Sequence, residues 1–223
     1  MNRSRAMIGG LFLAIGLLFF QGCAGLRASH EPGGRFQRGL LADRSHYQRV
    51  LNKWTRTGRI YQGFDLELIL SGTFKSSEFR SAFKDETARV YRFSEAEKTK
   101  LARDQRQAGL EHNEFILAAY VPEEKENDFD KKKSIWKIYL VLDENPPESP
   151  LEIRKIDKKD ASFIHFFPHI TPWQSVYIVR FPVTSSKSGG RLMGDGAKII
   201  KLVVVGVAGA AELEWNVKGF AGK

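Results

Sequence analysis

His165 and His169 flank Phe166-Phe167-Pro168, and Thr171-Pro172-Trp173 follows. A His-x3-His pair holds a metal ion when both rings leave one face of a helix. Pro168 and Pro172 oppose a helix through this segment, because each lacks a backbone donor and clashes with the preceding turn. The only Cys lies far away at position 23, so neither a metal nor another cofactor is expected. The alternative is an aromatic-proline connection in which Phe166, Phe167, His169 and Trp173 form a partner-binding edge. Glu124, Glu126, Asp128 and Asp130 alternate as calcium ligands do. The spacing and glycine of an EF-hand are missing, however, and Lys131, Lys132 and Lys133 would repel a cation, so a solvated hairpin loop is expected. The glycines between Gly189 and Gly196 lack the Gly-Lys-Ser/Thr ending of a phosphate loop and lead into a strand, so they read as a connection. No Ser sits in a Gly-x-Ser-x-Gly context, and among 26 acidic residues spacing singles out no catalytic pair. No reaction class emerges from these residues.

The lone Cys has a context of its own. Arg3 and Arg5 precede Met7 to Phe20, 14 residues without a charge. As a helix they span about 21 Å, short of the roughly 30 Å of a bilayer core and right for a signal-peptide apolar region. Phe20-Gln21-Gly22-Cys23-Ala24-Gly25 then resembles the lipobox of bacterial lipoproteins, in which a small residue precedes a Cys that is lipidated and becomes the new N-terminus. Phe20 and Gln21 stand where that family usually carries an aliphatic and a small residue. The resemblance implies a signal peptide over 1–22 and lipidation of Cys23. It also implies a lipid-anchored place in the bacterial envelope, sorted to an outer membrane facing the periplasm. Without it, the same stretch also reads as an uncleaved anchor helix running on to Gly25. At least two acyl chains would make the anchor stable.

The net charge of +9 is distributed unevenly. Between Cys23 and Tyr61 stand Arg27, Arg35, Arg38, Arg44, Arg49, Lys53, Arg56 and Arg59 against Glu31 and Asp43, a segment of +6. The remainder, 62–223, carries only +1. A basic stretch beside a lipid anchor gains roughly 1 kcal/mol per cation near an anionic surface. Arg35, Arg38, Arg44, Arg49, Lys53, Arg56 and Arg59 are therefore candidates for contact with a membrane surface or another polyanion. Nucleic acid is not an expected partner of an exported, tethered domain.

The elements that must position these residues follow from periodicity. After a polar tether over 23–34, Phe36, Leu40, Leu41, Tyr47, Val50, Leu51 and Trp54 recur at helical spacing and predict a basic helix over about 35–56. Phe64 to Leu70 alternates as a half-buried strand. Ser76 and the capping-box sequence Ser94-Glu95-Ala96-Glu97 open two helices, an insertion over about 76–112. Runs at 114–121, 135–142, 151–156, 175–183, 198–207 and 212–217 are rich in β-branched and aromatic residues and predict six further strands. Seven strands with turn signals between them predict a mainly β (α+β) domain over 35–223, an antiparallel immunoglobulin-like β-sandwich. The sequence thus points to a membrane-anchored binding or structural module that meets an envelope protein or glycan. A lipid or polysaccharide carrier would need a hollow sandwich, and a hydrolase a cleft with converging acid, base and nucleophile.

Overall fold

In the computed structural model Tyr47, Val50, Leu51 and Trp54 form the buried face of a helix, α1 (46–54). The structure describes residues 44–217, apart from 45, 144, 158, 186, 188 and 193–197. Residues 1–43, which include Cys23, Arg35 and Arg38, lie outside the described residues.

The predicted helix stops two residues early, because Thr55 opens a strand. β1 (Thr55–Gln62) pairs antiparallel with β2 (Asp65–Phe74). Gly63 at φ 63° and Phe64 make the two-residue turn between them, and a positive φ in the first turn position suits Gly. The sequence hides β1 because only Ile60 of its eight residues is buried. β2 runs four residues beyond the predicted end at Leu70. Ser71, Gly72 and Thr73 break the apolar alternation, yet the strand must be small here. A Cβ on Gly72 would stand 2.6 Å from Leu213 Cδ1 of the opposing sheet.

The other predicted runs appear as β3 (Asn113–Tyr120), β4 (Lys137–Leu142), β5 (Glu152–Ile156), β6 (Ser175–Phe181), β7 (Ile199–Gly206) and β8 (Gly209–Asn216). They form two antiparallel sheets of order β1-β2-β3-β6-β5 and β4-β7-β8. Set β1 aside, and β2-β3-β6-β5 facing β4-β7-β8 is the A-B-E-D and C-F-G strand order of a seven-stranded immunoglobulin-type sandwich. β1 is an eighth strand added to the edge. Leu68, Leu70, Phe115, Leu117, Val179 and Phe181 of the first sheet and Leu140, Leu202, Leu213 and Trp215 of the second are buried in one core. Trp215 Nε1 donates to the Trp54 carbonyl at 2.9 Å, and Arg56 Nε to the Glu214 carbonyl at 2.8 Å, so the end of α1 and the start of β1 are fastened to β8.

The insertion forms as predicted. Ser76 caps α2 (Ser77–Tyr91), and Ser94 with Glu97 makes the capping box of α3 (Glu95–Glu111), which buries no residue. A short α4 (Ala161–Phe166) stops before Pro168. Tyr47 of α1, Phe79 and Phe83 of α2, and Phe166 and Phe167 pack ring against ring. β3 is buried along both faces from Asn113 to Ala119, whereas β8 alternates buried and exposed. The first sheet is therefore covered twice, by the second sheet and by the helices. The second sheet turns one face to water.

Candidate functional site

The structure disperses the sequence-derived residues. Arg44, ahead of α1, is exposed, as are Arg49 on α1 and Arg59 on β1. Lys53 pairs with Glu78 at 2.6 Å, and Arg56 donates to the carbonyls of Lys53, Thr55 and Glu214, so both help to hold the fold. Burial would raise the Glu78 carboxyl, but hydrogen bonds from Lys53 and Trp54 hold it below its usual value. Phe166 and Phe167 are core residues rather than parts of an edge, because the aromatic layer of α1 and α2 closes over them. His169 is mostly covered and its Nε2 meets no partner; burial lowers its pKa and keeps the ring neutral. Of the four residues proposed as a binding edge, Trp173 alone stays 82% exposed. The two histidines do not converge. His165 Nε2 donates to Glu86 Oε1 at 2.8 Å, and among the described residues no group of three metal-binding side chains forms.

Two buried carboxylates anchor the helical side. Glu86 of α2 accepts from Arg89 Nε and Nη2, at 2.7 and 2.6 Å, and from His165. The Arg89 hydrogen bonds outweigh burial and keep its carboxyl below the usual range, with His165 adding to them. Glu114 of β3 is gripped by Lys75 and, at 2.8 Å, by Arg180 Nε. Arg180 Nη1 continues to Glu152 at 2.7 Å. Burial pushes Glu114 up, yet the surrounding Lys75, Arg180 and Arg80 hold it at about 2. In both centres the cations approach the carboxylate oxygens directly, so the arrangement is one of structural ion pairing. A hollow of about 480 Å³ beside β4, lined by Tyr139, Pro147, Glu148, Pro150, Leu151 and Pro182, lies outside the core.

The opposite end of the sandwich carries apolar groups in water. Register places the β1–β2 turn, the end of β3, the start of β4, the start of β6 and the β7–β8 turn together there. Phe64, in the β1–β2 turn, is 104% exposed, and Tyr61 beside it is 55% exposed. Val207, in the β7–β8 turn, is 91% exposed. That turn abuts β1: a Cβ on Gly209 would lie 3.2 Å from Ile60 Cγ2. Trp173 stands just before β6. Its turn is pinned by Lys159, whose Nζ donates to the carbonyls of Thr171, Pro172 and Gln174. Gln174 Oε1 accepts from the Thr171 amide at 2.9 Å and braces the same turn. The loop before β4 adds Ile135, and Lys131, Lys132 and Lys133 beside it are exposed. The expected solvated loop is more ordered than its composition suggested. Asn127 donates to the Ala119 carbonyl and accepts from the Tyr177 hydroxyl, and Trp136 Nε1 donates to the Glu126 carbonyl.

Tyr61, Phe64, Val207 and Lys159 were not singled out in the sequence. Their signal, a Gly63-Phe64 turn between two strands, becomes readable only once β1 is recognised as a strand.

No family model matches the chain, and no curated protein matches it. A crystal structure of a Burkholderia pseudomallei protein of unknown function aligns with it at a TM-score of 0.42 and 9% identity. The alignment covers 82% of this chain and 88% of that one.

Proposed function

We propose that this protein is a lipid-anchored lipoprotein of the bacterial envelope, facing the periplasm from an outer membrane, and that its sandwich works as a non-catalytic binding module. The observation that carries this reading is the unique Cys23, placed directly after a charged start and 14 uncharged residues. Two features of the folded part support a binding role. Its buried carboxylates are spent on ion pairs within the fold. Its bare aromatic side chains stand on short, braced turns, as recognition residues do. The partner is an envelope protein or glycan, and exposed Arg44 and Arg59 suit a polyanionic one.

Acyl labelling in a bacterial host tests the anchor. The full chain should incorporate labelled palmitate and sediment with membranes, while Cys23→Ala should leave an unlabelled precursor. Label persisting in Cys23→Ala would refute lipidation at this site. Crosslinking of the intact lipoprotein followed by mass spectrometry should then recover the envelope partner.

A further inference from the structure

We infer that the β1–β2 turn end of the sandwich is a second membrane contact, in which Phe64, Tyr61, Trp173 and Val207 enter the interfacial layer of a lipid bilayer. The inference rests on the anchored-lipoprotein reading, since a tether supplies the proximity that a shallow contact requires.

The argument begins with shape. Ile60 and Leu68 are still buried, so the last residues of β1 and the first of β2 run only about two residues, roughly 7 Å, beyond that covered pair. The turn at their tip therefore stands out from the body, and its foremost side chain is a fully exposed Phe. Trp173 and Val207 leave separate turns at its base. A rigid protein partner would need a matching pocket for each of several projecting side chains. A fluid interface accepts them as they stand.

Chemistry points the same way. Trp, Tyr and Phe are the residues that favour the boundary between headgroups and acyl chains. Lys132 and Lys133 are exposed on the adjoining loop and suit anionic headgroups. Asp65 directly follows Phe64 and is exposed, so its carboxylate stays among the headgroups and limits entry to the depth of a ring. The turns are also built to hold this pose. Gly63 supplies the backbone conformation of a two-residue turn, and Lys159 ties down the Trp173 turn through three carbonyls.

The protein carries its own probe. Trp54, Trp136 and Trp215 are buried, which leaves Trp173 as the tryptophan in water. The full-length lipoprotein, reconstituted into vesicles of phosphatidylethanolamine and phosphatidylglycerol, should show blue-shifted Trp173 emission. Lipids brominated near the headgroup should quench that emission, and Trp173→Phe should abolish both signals. The double variant Tyr61→Ser, Phe64→Ser removes two rings and should weaken the engagement equilibrium at least about tenfold, read as a loss of most of the quenching, while still sedimenting with the vesicles. Its circular dichroism should match the parent, since both side chains face solvent. Emission left at its water-exposed wavelength in sedimented protein would overturn the second contact and leave the anchor intact. Protein that fails to sediment would refute the anchor instead. Shielding of Trp173 by an envelope protein fraction but not by vesicles would overturn the bilayer as occupant in favour of a protein.

Discussion

The two ends of the sandwich differ in which costly groups dominate, although Tyr91, Leu110 and Ile164 also reach water on the helices. On the helical side, charges that water would welcome are buried, with Arg89 against Glu86, and Lys75 and Arg180 against Glu114. At the turn end, rings that a core would welcome are left in water on braced loops. A buried ion pair contributes little net stability over an apolar core, yet losing one partner is expensive. An exposed ring contributes almost nothing to folding, and several of them at one end mark a contact surface. The comparison separates residues that fix the fold from residues that meet something outside it.

The largest effect should come from the buried pair. Glu114→Gln leaves Lys75 and Arg180 facing a neutral amide inside the protein, and should cost about 3 kcal/mol in denaturant unfolding. Acid should do the same to the parent. The Glu114 carboxyl falls from 4.5 in the unfolded chain to about 2, which corresponds to on the order of 3 kcal/mol. Because its folded pKa is depressed, that stabilisation is complete above about pH 4.5 and is lost as pH falls toward 2. Unfolding free energy measured at pH 6 and pH 3 should differ in the parent and much less in Glu114→Gln. Equal pH slopes in the two proteins would show that the helical side is not held by this carboxylate.

Much of this architecture was legible in the sequence, because seven strands obeyed the rules that make strands readable. Leu66, Leu68 and Leu70 alternate, and Lys198 to Val207 is rich in β-branched residues, so periodicity and propensity agreed with the tertiary outcome there. Phe64, read as the first residue of its strand, lies in the turn instead. Ser76 and the Ser94/Glu97 box fixed two helix starts by local chemistry alone. β1 escaped because Thr-Arg-Thr-Gly shows no apolar face. It is a strand by virtue of what lies beside it, β2 on one side and Leu213 beneath Gly58. Phe166 and Phe167 were read as surface because neighbouring prolines signal a loop. Nothing local announces that Tyr47 and Phe79, far off in sequence, will cover them. The same non-locality hid most of the candidate site: Trp173 was read as an exposed binding residue, but Phe64 and Val207 reach the same end only through strand pairing and the packing of the β7–β8 turn on β1.

A middle-sized effect should separate close packing from chemistry. Gly72→Ala forces a methyl to within 2.6 Å of Leu213 Cδ1 on the opposing sheet and should cost about 1–3 kcal/mol. Leu213→Val would make room, so the double variant should recover part of the loss in the same denaturation assay. Absence of recovery would place the strain elsewhere and weaken the claim that the small residues of β2 are dictated by the opposing sheet.

The smallest effect sharpens the comparison most. Phe64 touches so little of the fold that Phe64→Ser should shift unfolding free energy by less than about 0.5 kcal/mol. Val207→Ser, on the neighbouring turn, should behave alike. Most replacements of a large apolar residue in a sandwich are costly because a cavity opens, but at these positions there is no cavity to open. A loss above about 1 kcal/mol in either variant would mean that the ring supports the turn, and the division between the two ends would fail there. If stability holds while lipid quenching of Trp173 falls, Phe64 is free to act outward. The apolar end then owes its residues to whatever it contacts, because folding does not require them.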